Sequence, residues 1–178
     1  MHDDDLQRRA MGLEWLLFDV DGVLTDGVVY YSAKGETLKP FHVRDGLAFR
    51  IAQGVGLKLG LLTGRRSKAL ERRAKELDFD TVVMGSKDKN RDFDRFLRKA
   101  RTVPGKVAYI GDDLPDMPVL GRSALAFAPA DAAPEVRAMV HTVLDAPGGR
   151  GAAREMIERL LEARGEWRQA VARYSLEG

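Results

Sequence analysis

Phe18-Asp19-Val20-Asp21-Gly22-Val23-Leu24-Thr25-Asp26-Gly27 is the stretch that decides how this chain folds. It follows an apolar run over residues 13–18 that reads as a buried β-strand. The strand ends in two carboxylates, Asp19 and Asp21, one residue apart. Alternate side chains of a strand share a side, so both carboxylates can address one point beyond its carboxyl end. In open α/β sheets that end is where ligands bind. Two close carboxylates repel, which favours a bound cation or a shared proton. A cation would make Asp19 an oxygen ligand and a nucleophile, and leave Asp21 free to move a proton. The alternative is a solvated acidic turn closed by Gly22, so the rest of the chain must decide.

Length and composition narrow the field. The 178 residues fit one domain, 1–178, with a real core. Hydrophobic content of 44% and charged content of 31% suit a globular protein. A net charge of +2 gives no argument for nucleic-acid binding. The absence of cysteine excludes disulfides, thiol catalysis and thiolate metal sites. No apolar run approaches a membrane span of about 18 residues. Residues 1–12 read as a polar tail, too acidic for a signal peptide, and the expected location is the cytoplasm. His2 beside Asp3, Asp4 and Asp5 belongs to that solvated tail.

Strand patterns over 28–31 and 36–41, with Ser32-Ala33-Lys34-Gly35 between them, predict a β-hairpin within 28–41. Its aromatic and aliphatic face meets either another subunit or its own sheet. Asp45 stands where a helix N-cap would, ahead of Leu47, Ala48, Ile51 and Ala52 at helical spacing. Gly54 and Gly56 stop that helix. A strand over 57–62 ends in Thr63-Gly64-Arg65, and a basic helix follows over 67–77. Further strands are expected over 81–84, 107–110, 124–128 and 142–144, with helices between them. The helix after the loop 85–89 carries Phe93, Phe96, Leu97 and Ala100 on one face. The strand over 107–110 ends in Gly111-Asp112-Asp113-Leu114-Pro115-Asp116, and a short helix follows it. Another helix is expected over 131–140. Residues 147–151 read as a flexible joint, 154–163 as an amphipathic helix, and the remainder as a polar tail. Strands alternating with helices predict an α/β fold. The architecture expected is a Rossmann-like, mostly parallel sheet with helices on both faces, a β-hairpin insertion after the first strand and no full cap domain.

If the sheet is parallel, three strand ends bring together Asp19 and Asp21, Thr63, and the group Asp112, Asp113 and Asp116. Lys89 lies at a loop-to-helix junction among them. Hard oxygen ligands favour Mg²⁺ over Zn²⁺. Mg²⁺ held by Asp19 and Asp112 would neutralise a phosphate and let an anionic nucleophile approach. A hydroxyl and an ammonium would hold the non-bridging oxygens as charge shifts.

With D-x-D-G-V-L-T-D at 19–26, T-G-R from Thr63, Lys89, and G-D-D-x-x-D at 111–116 in that order, the chain resembles the haloacid dehalogenase superfamily of phosphotransferases. The resemblance implies that Asp19 attacks phosphorus and becomes an aspartyl phosphate. Asp21 then protonates the leaving alcohol and activates the hydrolytic water. Mg²⁺ would be held by Asp19, the main-chain carbonyl of Asp21, and Asp112. Thr63 and Lys89 would steady the phosphoryl group, with Lys87 as a rival for the lysine role. Asp113 and Asp116 would orient these groups or cap helices.

Only a hairpin and one helix separate Asp21 from Thr63, too little for the cap domain of many members. The chain is similar to the superfamily's capless tetrameric branch, the 3-deoxy-D-manno-octulosonate 8-phosphate phosphatases of lipopolysaccharide precursor synthesis. Phe41-His42-Val43-Arg44-Asp45-Gly46, Thr63-Gly64-Arg65 and Gly149-x-Gly151-Ala152-Ala153-Arg154-Glu155 carry that likeness. It implies a homotetramer built by the hairpin, and a C-terminal tail, 148–178, that reaches a neighbour's site. Position 42 is commonly Asn in that branch, and His42 is a departure. The substrate implied is a phosphosugar acid. Asp21, His42, Val43, Arg44, Asp45, Gly46, Arg50, Gly64, Arg65, Arg73 and Lys89 would bind it. Arginine suits planar carboxylates and phosphates, although each of these arginines taken singly reads as a solvated helix face. His141 reads as structural, and Trp15, Trp167 and Tyr174 as packing or subunit contacts.

Three other readings stand beside this one. They are a phosphatase of another nonulosonic acid phosphate, a receiver-like phosphoacceptor, and an oligomerisation scaffold. The tail reading also carries an expectation of its own: deleting the residues after Gly149 should change turnover and leave the core folded.

Overall fold

The computed structural model describes residues 3–33 and 35–174. Its centre is β1 (Trp15–Phe18), buried at every position. This strand pairs in parallel register with β4 (Lys58–Thr63) on one side and β6 (Val107–Ile110) on the other. The six-stranded sheet continues outward through β5 (Thr81–Met84) beyond β4, and through β7 (Leu125–Ala128) and β8 (Thr142–Val143) beyond β6. Every pairing in it is parallel. The chain builds outward from β1 to β5, then returns to the other flank of β1 to build β6 through β8. The strand order therefore reverses beside β1, and a crevice opens at the carboxyl ends there.

The period of the strands sorts the core into two layers. Leu16 and Phe18 of β1 face one layer, together with Ala108 and Ile110 of β6. Trp15 and Leu17 face the other, with Val107 and Tyr109. The first layer is covered by α2 (Val43–Gly54), α3 (Lys68–Glu76) and α7 (Ala152–Ala163). The second is covered by α4 (Lys89–Ala100), α5 (Met117–Leu120) and α6 (Pro134–Met139). Helix α6 is shorter than the 131–140 expected. It starts at Pro134, whose fixed φ suits a first turn.

Three segments differ from expectation. The polar stretch expected as a tail at 1–12 forms α1 (Asp3–Met11) where it is described. Leu6 packs against the core and Ala10 is buried one turn on, so this helix has an apolar side. Asp5 ion-pairs with Arg9 a turn later, and Arg8 and Arg9 in the last turn suit the helix dipole. His2 lies outside the described residues.

The joint expected at 147–151 is pinned. Gly148 N donates to Asp131 Oδ1 at 2.8 Å, and Gly149 N donates to Val23 O at 2.9 Å. A Cβ at Gly148 would stand 1.9 Å from Gly22 O, so only glycine lets this segment lie on the loop after β1. Helix α7 beyond it belongs to the core. Ala152, Ala153, Met156, Ile157, Leu160 and Leu161 are all fully buried. The segment beyond α7, expected as a polar tail, folds into α8 (Trp167–Val171) and contacts α7 and α2. The Arg154 guanidinium lies 4.8 Å from the Trp167 ring centroid. Residues 175–178 of the expected tail lie outside the described residues.

The hairpin consists of β2 (Tyr30–Ser32) and β3 (Gly35–Leu38) in a two-stranded sheet separate from the main one. Val28, Tyr30, Tyr31 and Leu38 are exposed on it. No helix among the described residues is long and apolar enough to cross a membrane.

Candidate active site

Beyond Phe18 the chain stays tied to the sheet. Asp19 N donates to Ile110 O at 3.0 Å, which carries Asp19 to the crevice beside β6. The next residues coil tightly, with Val20 O accepting from the N–H groups of Val23, Leu24 and Thr25. Gly22 sits at φ +84°, and a Cβ there would stand 1.9 Å from Asp112 Oδ2. Glycine thus lets this loop close onto the carboxylate at the end of β6.

Further groups gather around Asp19. Lys89 opens α4 behind its N-cap Asp88. Its Nζ lies 2.8 Å from Asp19 Oδ1 as a charge pair and 2.6 Å from Asp116 Oδ1. Thr63 ends β4, buried beside the same cleft. The Tyr109 hydroxyl donates to Asp116 Oδ1, and the N–H groups of Asp112 and Asp113 approach Asp116 Oδ2 at 3.3 and 3.4 Å. Asp116 is therefore saturated by protein donors, and it orients the lysine and the loop at 111–113. Lys87 also lines the cleft, but the ammonium against Asp19 is that of Lys89.

The electrostatics follow from three acids in one buried place. Asp19, Asp112 and Asp116 offer oxygens within 4.8 Å of one another. Burial, then the charge of Asp116, pushes the Asp19 carboxyl up against the pull of Lys89. Burial, then Asp19 and Asp116, does the same to Asp112. Burial works against the Lys89 ammonium, but Asp19 and Asp116 outweigh it and hold its pKa above the usual value. Tyr109 is raised well above its ordinary value, chiefly by burial, so its hydroxyl keeps its proton and donates. One ammonium does not balance three carboxylates. Hard oxygen donors with a surplus of negative charge fit a divalent cation such as Mg²⁺. Asp116 is taken up by Lys89, Tyr109 and the loop amides, so Asp19 and Asp112 are the two that would hold such an ion.

Asp21, Gly64, Arg65 and Asp113 line the same cleft. The other residues expected to bind substrate lie elsewhere within this chain. His42, Asp45, Gly46 and Arg73 border a separate, mainly apolar recess with Phe49 and Phe79. Val43 and Arg44 are exposed in the first turn of α2. Arg50 is engaged away from the cleft, with its Nη1 2.6 Å from Asp78 Oδ2. Arg73 pairs with Glu76 at 2.8 Å.

Asp45 is not the cap of its own helix, which begins two residues earlier behind His42. Its Oδ1 instead accepts from Arg154 N of α7 at 2.9 Å, joining two helices. Its Oδ2 is buried without a hydrogen-bond partner, and burial raises the carboxyl to about 6 from an ordinary 3.8. A raised carboxyl means that the folded chain holds this proton more tightly than the unfolded chain. The stability it lends is complete below about pH 4 and is lost as pH rises towards about 6. Asp45→Asn keeps the acceptor for Arg154 and removes the titration. Its unfolding free energy, measured by denaturant at several pH values, should gain on the native protein by up to about 3 kcal/mol between pH 4 and pH 7. Parallel pH profiles of the two proteins would contradict the assignment.

Sequence reading missed Lys39, Glu36 and Tyr31, which the hairpin brings to the cleft. Lys39 Nζ donates to Asp21 Oδ1, and the Tyr31 hydroxyl accepts from Arg65 Nη2 at 2.8 Å. The signal for Lys39 and Glu36 was charge inside an otherwise aromatic and aliphatic hairpin. It also missed Tyr109, whose signal was a hydroxyl in a fully buried strand, where it needs a partner.

Comparison with known proteins accords with this geometry. No family model matches the chain. A 3-deoxy-D-manno-octulosonate 8-phosphate phosphatase of Yersinia pestis is 41% identical over 160 residues, covering 90% of this chain and 86% of that protein. The same enzyme of Escherichia coli K12 is 39% identical over 166 residues, covering 93% and 88%. Among solved structures, the corresponding phosphatase of Moraxella catarrhalis, in complex with magnesium, phosphate and KDO, superposes with a TM-score of 0.93. It is 31% identical, and the match covers 98% of this chain and all of that one. A probable YrbI family phosphatase of Pseudomonas syringae gives a TM-score of 0.94 at 40% identity, covering 98% and 99%. Sequence relatives along nearly the whole chain and structures of the same fold agree: the chain belongs to the 3-deoxy-D-manno-octulosonate 8-phosphate phosphatases of the haloacid dehalogenase superfamily.

Proposed function

We propose that this chain hydrolyses 3-deoxy-D-manno-octulosonate 8-phosphate to the free sugar acid and inorganic phosphate, in the cytoplasm. The observation that carries the proposal is the meeting of buried Asp19 and Lys89 with half-buried Asp112 at the ends of three elements. Asp19 is the nucleophile. One of its oxygens bonds to phosphorus as the bond to the sugar oxygen breaks, and Asp21 gives that oxygen a proton. Water then attacks the aspartyl phosphate, Asp21 takes its proton, and the Asp19 carboxylate is restored. Lys89 and Thr63 hold the phosphoryl oxygens, and Arg65 lines the same cleft. Asp19, Asp112 and the main-chain carbonyl of Asp21 would hold Mg²⁺, which supplies charge neutralisation around the phosphate.

The assembly is proposed to be a homotetramer joined through the exposed face of Val28, Tyr30, Tyr31 and Leu38. His42, Arg50 and Arg73 would then serve substrate across a subunit boundary, since within one chain they border a different recess or bond elsewhere.

A phosphate-release panel over sugar phosphates, with and without Mg²⁺, tests the activity. The expected result is highest kcat/KM on the octulosonate 8-phosphate, and loss of at least 100-fold on chelation. Equal turnover with EDTA, or preference for another nonulosonic acid phosphate, would overturn the metal or the substrate respectively.

A further inference from the structure

The hairpin does more in this chain than offer an apolar face. Its second strand leads into Lys39, whose side chain is 5% exposed. The Lys39 ammonium donates to Asp21 Oδ1 and lies 3.8 Å from Glu36 Oε2. Glu36 is anchored in turn. Its Oε1 accepts from Ser67 Oγ, and that same oxygen caps α3 by accepting from Leu70 N at 3.3 Å. Arg65 closes the ring, with Nη2 3.7 Å from Glu36 Oε2 and Nε 3.7 Å from Asp21 Oδ2. Four alternating charges, Glu36, Lys39, Asp21 and Arg65, thus connect the start of α3 through the hairpin to the carboxylate that handles protons.

We infer that Lys39 is a positioning residue for Asp21: it ties down Oδ1 and leaves Oδ2 as the oxygen that exchanges protons with substrate and water. An ammonium only donates, so the oxygen it holds is committed as an acceptor. Glu36 keeps the ammonium in place through a contact that does not involve Asp21. Without Lys39, the Asp21 side chain keeps, among the described residues, the longer approach of Arg65 and can rotate away from the reacting phosphorus. A misplacement of about 1 Å in a catalytic group costs about 100-fold in rate. The inference rests on the proposed roles of Asp19 and Asp21.

The second half-reaction isolates the effect. There water's oxygen bonds to phosphorus, the Asp19–phosphorus bond breaks with its electron pair returning to the carboxylate, and the proton of water passes to Asp21. With p-nitrophenyl phosphate the leaving group needs little help from an acid, so formation of the phosphoenzyme is spared relative to its hydrolysis.

The full-length protein with Mg²⁺ and p-nitrophenyl phosphate is followed by rapid mixing, and phosphoprotein is counted after acid quench. Lys39→Met should lower turnover of the sugar phosphate about 10- to 100-fold. It should also raise the steady-state fraction of phosphoprotein above that of the native enzyme, with a burst of nitrophenolate. Lys39→Arg, which keeps charge and donors, should show the same pattern to a smaller degree, and it carries the test if Lys39→Met does not fold. Turnover lost without added phosphoprotein, a loss confined to KM, or no loss would overturn the inference. Asp21→Asn separates the two levels. If Asp21→Asn accumulates phosphoprotein and the Lys39 variants do not, the role of Lys39 falls alone. If no variant and no native sample forms phosphoprotein, the covalent reading falls with it.

Discussion

Asp19→Asn is expected to lose turnover by on the order of 10⁴-fold or more, because an amide oxygen cannot take the place of a carboxylate nucleophile. The loss should fall in kcat. Folding should survive the change, since burial and Asp116 already work against the Asp19 charge. Lys89 keeps Asp116 as a partner at 2.6 Å. Steady-state phosphate release on the sugar phosphate, with a thermal melt as control, reads both quantities. A folded Asp19→Asn protein with native turnover would remove Asp19 from the chemistry.

Ending the chain after Gly149 is expected to abolish folding, which reverses the expectation drawn from sequence. Helix α7 contributes Met156, Ile157, Leu160 and Leu161 to the core, each fully buried. Truncating one such side chain to alanine costs about 2–5 kcal/mol. Four together come to roughly 8–20 kcal/mol, against a whole-domain stability of about 5–15 kcal/mol. The cut would also remove Glu155, whose carboxylate accepts from the N–H groups of Asp145 and Ala146. Circular dichroism and a melting curve on the truncated protein check this. A cooperative melt near that of the full chain would show that the sheet and α2 stand without α7.

These two cases mark what the sequence discloses and what it hides. The sheet was legible because its strands are short, apolar on both faces and punctuated by polar ends, a pattern that a buried parallel sheet requires. Asp19, Thr63, Lys89 and Asp112 were legible because each stands at the end of an element whose direction the pattern fixes. Residues 147–151 were misread because glycine serves slack and close packing alike. At Gly148 a Cβ would collide with Gly22 O, a contact formed across more than a hundred residues. Asp45 was misread for a related reason. A carboxylate at the start of a helix pattern caps that helix in most chains, whereas here it caps α7 from the side. The charge of Lys39 stands out in its hairpin, but its role was hidden because its partner, Asp21, is reached only once the hairpin folds across the cleft. Helix α1 was missed because its apolar side is narrow, with Leu6 and Ala10 among charges. Local pattern thus finds elements and their ends, while the contacts between distant loops decide which charged groups face one another.

The covalent step at Asp19 is tested most directly by trapping it. The full-length enzyme turning over its sugar phosphate with Mg²⁺ is quenched in acid and reduced with borohydride, which converts an aspartyl phosphate to homoserine. Peptide mass spectrometry then locates the change. The expected result is homoserine at position 19, absent when substrate is omitted. Homoserine at another aspartate, or none at any position while phosphate is released at the full rate, would contradict the account.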